Sequence, residues 1–306
     1  MLKNIKSKYI LEFILNHLCE RNKLLLVKYN KKFKDKINLE DISYRKFTQI
    51  EIEVELIDFD DDKKRKINFI NINENKSFYH IYLENEEKET KRKFVSSNEK
   101  IFNIKIILEM EIKSLNKLFY DCEYIRNIKF IKFNRNDITD MRSLFENCIN
   151  LISIDLEELK TKKVTDMSYM FYNCSSLEEL DLSNFITDNV IYMNNMFSWC
   201  SNISELDLKN FNTEKTTDMQ EMFSCCSSLN KIDISNFNFN NVTNMQFMFS
   251  GCESLENFEI PLTNFINKNK IDIKGMFLDL SEDLKNKIKN KITNIKEDAF
   301  TIHENP

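Results

Sequence analysis

A chain of 306 residues with 42% apolar side chains can bury a large core, yet its 2 Gly and 2 Pro are too few for ordinary turns, so the turns must rest on Asn, Asp, Ser and Thr. The net charge of −5 hides an asymmetry: residues 1–45 hold 11 Lys/Arg against 5 Asp/Glu, whereas residues 151–261 hold 6 against 17. The acidic stretch repels a phosphate backbone, which excludes nucleic acid as its partner and points to a basic protein.

Residues 1–45 read as helical. Tyr9, Ile10, Phe13, Ile14 and Leu18 follow helical spacing, and Leu24, Leu25, Val27 and Phe33 continue it after a polar break. No apolar run reaches the roughly 18 residues of a membrane span, and no small-residue cleavage site follows the first helix pattern. The expectation is a cytoplasmic protein with no membrane span. The stretches "ILEFILNHL" and "LLLVKYNKKF" resemble an F-box, a short helical module that precedes leucine-rich repeats in many ubiquitin-ligase substrate receptors; the early Leu-Pro and late Trp of that pattern are absent. The resemblance implies a docking site for the adaptor of a cullin-type ligase at residues 1–45. The other reading is a helical cap.

Residues 46–113 switch to period-two text. "TQIEIEVELI" alternates cleanly, and "KINFINI", "FYHIYLE" and "IFNIKIILEM" are further strand candidates. The charged stretches "DFDDDKKRK" and "ENEEKETKRK" between them read as turns. "DFDDD" lacks the Gly and closing Glu that a calcium loop of the EF-hand type requires. A small β region that covers the first repeat is expected here.

From residue 114 to 280 the chain repeats itself. Cys122, Cys148, Cys174, Cys200, Cys226 and Cys252 stand 26 residues apart, each with a Phe three residues before it and a Leu or Ile three after. A fixed period of this length marks stacked units that bury their apolar faces against each other. Within the third copy, Met167, Met170, Phe171, Cys174 and Leu177 fall at helical spacing, which predicts a short helix with Thr165 as its N-cap. Thr139, Thr217 and Thr243 hold the same place in other copies. Leu180-Asp181-Leu182 then predicts a strand. The expected fold is therefore an α/β repeat solenoid of 26-residue helix-strand coils behind a small helical and β region.

The unit resembles the leucine-rich repeats of the BspA-like surface-protein family. The matching residues are Val164-Thr165-Asp166-Met167, Met170-Phe171, Cys174, and Leu177 through Phe185. The resemblance implies a leucine-rich-repeat solenoid with six to seven coils and a binding or adhesion role without catalysis, on a cell surface in the adhesins of that type.

Residues 281–306 are expected to close the stack. Ser281 is a suitable N-cap with Glu282 and Asp283 in the first turn, and Leu284, Ile288, Ile292 and Ile295 form an apolar stripe. A capping helix is the main reading, and a membrane-surface helix the competing one.

Candidate site residues follow from the register. The six periodic cysteines read as a buried ladder of small apolar side chains, since metal sites want close Cys pairs with histidines and disulfides an oxidising compartment. His17, His80 and His303 are scattered and the two glycines cannot build a phosphate loop, so no catalytic, metal or cofactor site is expected. Stacking the strands puts Asp155, Asp181, Asp207, Asp233 and Glu259 in one outward column headed by Lys129, flanked by Glu179, Glu205 and Lys231. Like charges on neighbouring strands destabilise a sheet unless something offsets them. Either the column is a concave acidic surface for a basic partner, or each Asp closes a local turn.

Overall fold

The strand β1 (Ile50–Leu56, IEIEVEL) buries every second residue, as a strand with one face on a core must. It pairs antiparallel with β5 (Asn103–Leu108) on one side and with β6 (Ile125–Phe133) on the other. β3 (Tyr79–Leu83) lies beyond β5, and β7 (Ser153–Asp155) lies parallel to β6, giving a mixed five-stranded sheet in the order β3-β5-β1-β6-β7. β2 (Lys66–Asn68) and β4 (Phe94–Ser96) form a separate antiparallel ribbon. A third, parallel sheet joins β8 (Glu205–Leu206), β9 (Lys231–Asp233) and β10 (Asn257–Glu259). This computed structural model describes residues 49–58, 65–72, 76–84, 86–109, 111–260, 271–292 and 295–301. The chain divides into two units, Met1–Gln49 and Ile50–Pro306. Residues 1–45, with their helical and F-box-like stretches, lie outside the described residues.

The sheet explains how the first copy of the repeat is covered. β6 belongs to that copy, and β1 runs along it with Ile52 opposite Phe130 and Val54 opposite Ile128. The edge that would face water in an uncapped stack is thus paired by backbone and covered by apolar side chains.

The expected leucine-rich-repeat solenoid of helix-strand coils is not what forms. The described residues are mostly β and turn, and they contain one α-helix, near the C-terminus. In the third copy, the N–H groups of Met167, Tyr169, Phe171 and Asn173 donate to the carbonyls of Tyr192, Asn194, Met196 and Ser198 in the next copy, at 3.0, 3.0, 2.9 and 2.8 Å. Those N–H groups cannot also bond four residues back, so no α-helix can form. The N–H groups between them close tight turns instead: Met170 donates to Met167 and Cys174 to Phe171. Tyr169 and Asn173, third in those turns, have φ of 58° and 56°, the left-handed backbone a type II turn requires. The same pair of positions has positive φ in the neighbouring copies, at Ser143 and Asn147, and at Asn195 and Trp199. A run of such turns faces the same residues inward as a helix would: Met167, Met170, Phe171, Cys174 and Leu177 are all fully buried.

Two finer expectations are corrected with it. Thr165 caps no helix; its Oγ1 donates to the Thr139 carbonyl of the preceding copy at 3.2 Å, and Thr243 does the same to Thr217. The residue after each Thr closes the turn, as when the Ser168 N–H donates to Asp166 Oδ1 at 2.9 Å. Leu180-Asp181-Leu182 is irregular, so no strand joins β7 to β8. Single parallel bridges hold the copies in register, running from Ser114 through Asp140, Asp166, Tyr192, Asp218 and Asn244 to Asp272.

Ladders of like residues fill the interior. Phe145, Phe171, Phe197, Phe223 and Phe249 stack with ring centroids 5.4, 5.7, 5.7 and 5.3 Å apart. Each such buried aromatic contributes about 1.5–3 kcal/mol by burial alone. Thr161, Thr187 and Thr213 form a second, buried ladder; Thr161 Oγ1 donates to the Ile186 carbonyl and accepts from the Ile186 N–H, at 3.1 and 2.7 Å. A third uses Asn184, Asn210 and Asn236, whose side-chain amides reach the turn carbonyls of the copy before. These polar groups replace the Gly and Pro the composition lacks.

The C-terminal end is closed by α1 (Glu282–Lys291). Ser281 Oγ accepts from the Leu284 N–H at 3.3 Å, and Leu284, Ile288 and Ile292 are buried. A short 3-10 turn (Glu297–Ala299) then takes the place of a next copy. Its carbonyls at Asp298 and Ala299 accept from the Gly275 and Phe277 N–H groups at 2.7 and 2.8 Å, and the Phe300 ring lies 5.5 Å from Phe277 at the end of the aromatic column.

Candidate functional site

The strand side of the repeats carries the acidic residues. Lys129 and Asp155 are directly opposed on β6 and β7, and Lys129 Nζ lies 2.9 Å from Asp155 Oδ2. The Lys129 ammonium holds the Asp155 carboxyl below its usual range. Farther along, Glu205 on β8 stands opposite Lys231 on β9, and Asp233 opposite Glu259 on β10. Glu179, Asp181, Glu205, Asp207, Lys231 and Glu259 are exposed; Asp155 and Asp233 are half-buried.

The column is therefore present in part. Asp181 and Asp207 lie in irregular backbone, outside any strand. Each Asp accepts the N–H two residues on: Glu157 to Asp155 at 3.1 Å, Ser183 to Asp181 at 2.9 Å, Lys209 to Asp207 at 3.1 Å and Ser235 to Asp233 at 3.0 Å. The Ser183 N–H and hydroxyl hold the Asp181 carboxyl low, and the Ser235 hydroxyl and N–H do the same for Asp233. One oxygen of each Asp thus builds the turn, which offsets the like-charge cost. Asp207 also has Lys209 at 3.6 Å, and Glu259 has Lys291 at 4.0 Å. The second oxygens of Asp155 and Asp207 thus lie on lysines, while Glu179 and Glu205 are exposed.

At the N-terminal end this face continues into a depression of about 400 Å³, walled by Glu53, Glu55, Lys105, Asn127 and Lys129. A smaller groove of about 220 Å³ lies between β10 and α1, with Phe258, Ile260, Leu284 and Ile288 among its walls.

The six periodic cysteines are fully buried free thiols. From Cys148 to Cys252 each Sγ donates to the carbonyl of the Phe in the copy before, at 3.0–3.2 Å. Burial pushes these thiols well above their ordinary range, so thiolate chemistry is suppressed. Cys225 alone among the described cysteines is half-exposed.

One arrangement had no signal in the spacing. His80 on β3 sits between Glu109, 2.8 Å from its Nε2, and Glu89, 3.2 Å from its Nδ1. Residues 29 positions apart in the chain meet there because β3 and β5 are neighbours. Among the described residues, no three His, Cys, Asp or Glu side chains come together as a metal-holding group. No helix of the described residues is long and apolar enough to cross a membrane.

Comparison with known proteins bears on the repeats. No curated protein and no solved structure matches the chain. Two overlapping segments, residues 113–205 and 201–294, match the DUF285 family, described as "Mycoplasma protein of unknown function". The first opens where the bridged copies begin and the second closes just past α1, so the match takes in the stacked copies and more than half of the chain. The protein belongs to the DUF285 family.

Proposed function

We propose that the protein is a non-enzymatic interaction module that binds a basic protein partner along its strand side, between Asp155 and Glu259. The observation that carries this reading is the exposed row of Glu179, Asp181, Glu205, Asp207 and Glu259, within a stretch holding 17 Asp/Glu against 6 Lys/Arg. Such a field raises the encounter rate with a positive partner and rejects an acidic one. The free state of the seven described cysteines supports a reducing compartment, the cytoplasm. The test is capture by the immobilised full-length protein, beside a variant carrying Glu179→Lys, Glu205→Lys and Glu259→Lys. Partners retained at low salt, released at high salt and lost by the variant are expected. Partners bound equally by both proteins would sink the reading.

A second reading gives residues 1–45 a docking role of their own, in the ligase-receptor sense that the F-box similarity implies. What motivates it is the F-box similarity together with the division of the chain into the units Met1–Gln49 and Ile50–Pro306. Deleting residues 1–45 should then remove ligase subunits from the captured set and leave the strand-side partners. An unchanged set would leave those residues no docking role.

A further inference from the structure

The face made of tight turns carries a second surface. Each copy places residues at two positive-φ positions there, and several copies fill them with Asn, Asp, Ser or Gly, which suit that backbone. Three copies break the rule with an aromatic side chain: Tyr169 (φ 58°), Trp199 (φ 63°) and Phe247 (φ 55°). Phe247 has a packing reason, since its ring covers Gly275 in the next copy. Trp199 has none of that kind, for it is 50% exposed. Strained residues that packing does not explain cluster at functional sites.

The surroundings of Tyr169 and Trp199 specify a ligand chemistry. Tyr169 and Tyr172 lie with ring centroids 5.6 Å apart and tilted by 56°. Backbone hydrogen bonds put Tyr172 and Asn173 beside Ser198 and Trp199 of the next copy. Ser198 itself is fully buried, so the exposed ground there belongs to the rings. In the stacking register Glu146 lies one copy before Tyr172 and Glu221 two copies after Tyr169, and burial, then these two carboxylates, raise both tyrosine hydroxyls. The chain itself shows what such positions hold. Two copies earlier, Lys117 and Tyr120 occupy the places of Tyr169 and Tyr172, and the Lys117 ammonium lies 4.7 Å above the Tyr120 ring. In the third copy a tyrosine stands where that lysine stood.

We propose that Tyr169, Tyr172 and Trp199, flanked by Glu146 and Glu221, form a docking site for arginine side chains of a basic protein segment, on a face distinct from the strand-side column. Aromatic faces attract a guanidinium, and the two carboxylates add charge and hydrogen bonds. The site goes beyond the strand-side reading and does not depend on it.

Trp199 is the only Trp in the chain, so its emission reports on this site. The full-length protein is titrated with nona-arginine, and nona-glutamate serves as control. A saturable change in Trp199 emission with nona-arginine alone is expected, with the dissociation constant raised about fivefold in Tyr172→Ala and Glu221→Gln. Glu221→Gln keeps shape and removes only charge, so it stays informative if Tyr172→Ala fails to fold. Glu205→Lys on the strand side should leave the titration unchanged. An emission that does not respond at millimolar peptide, equal affinity in both patch variants, or loss of the response in Glu205→Lys would each overturn the site. A failure of strand-side capture with the Trp199 response intact would remove the first reading and leave this one.

Discussion

Asn184→Asp changes one side-chain NH2 group to oxygen and tests what holds one copy on the next. Asn184 Nδ2 lies 2.7, 2.9 and 3.1 Å from the carbonyls of Leu156, Glu157 and Leu159 in the copy before. Two N–H groups serve three acceptors, and the residue is half-buried. Loss of two such bonds costs about 1 kcal/mol each. A carboxylate oxygen facing three carbonyls adds repulsion, so the variant should lose about 2–4 kcal/mol at pH 7, against about 1–2 kcal/mol for Asn184→Ala. The pH dependence fixes the sign. Carbonyls disfavour the anion and can accept from the acid, so the new carboxyl is raised above its unfolded value of about 3.9 in the folded chain. A group raised on folding is stabilising below its unfolded pKa and loses that contribution as pH rises through the folded one. The deficit of Asn184→Asp relative to the parent should therefore shrink as pH falls from 7 to 4. The assay is urea unfolding followed by Trp199 fluorescence and far-UV circular dichroism at both pH values. A deficit below about 0.5 kcal/mol would show that the Asn ladder does not bind the copies together, and one larger in Ala than in Asp that the carbonyls do not repel the carboxylate.

Other outcomes follow from single features. Ser198 is fully buried and its Oγ has no partner among the described residues, so Ser198→Ala should be neutral or stabilise by up to about 1 kcal/mol in the same urea assay; a clear loss would mean the hydroxyl is bonded. Gly275→Ala places a Cβ against the Phe247 ring at a φ of 62°. It should cost about 1–3 kcal/mol, recovered in part by Phe247→Ala in the double variant, and simple additivity would refute the contact. The Asp155, Asp181 and Asp233 carboxyls are depressed by Lys129, by Ser183 and by Ser235. Groups depressed on folding stabilise above their unfolded pKa, so stability should hold from pH 7 to 5 and fall below about pH 4. A midpoint that rises on acidification would contradict these bonds. Iodoacetamide should label Cys225 in the native protein and spare Cys122, Cys148, Cys174, Cys200, Cys226 and Cys252 until urea is added, as read by peptide mass spectrometry.

The 26-residue period, the inward residues and the cysteine register were legible in the sequence, because burial depends on which side chains are apolar and how they recur. Met167, Met170, Phe171, Cys174 and Leu177 are buried whether the backbone is a helix or a run of turns. For the same reason the backbone was not legible. Helical spacing and turns with positive φ at every fourth residue present one inward set, and what separates them is where alternate N–H groups go. In this chain they go to carbonyls 25 residues ahead, a partner that no local pattern names. The strand stretch from Ile50 to Leu56 was legible through its alternation, but its pairing with β6 was not.

The site divides in the same way. Asp155, Asp181, Asp207 and Asp233 share a register in the text, yet only the folded chain decides that one oxygen of each closes a turn and that the strands break at Asp181. Tyr169, Tyr172 and Trp199 carry no spacing signal at all, because they are departures from the repeat. Composition and period determine what this protein must bury. The exchange of hydrogen bonds between copies decides the backbone, and with it which departures from the repeat stand together on the surface.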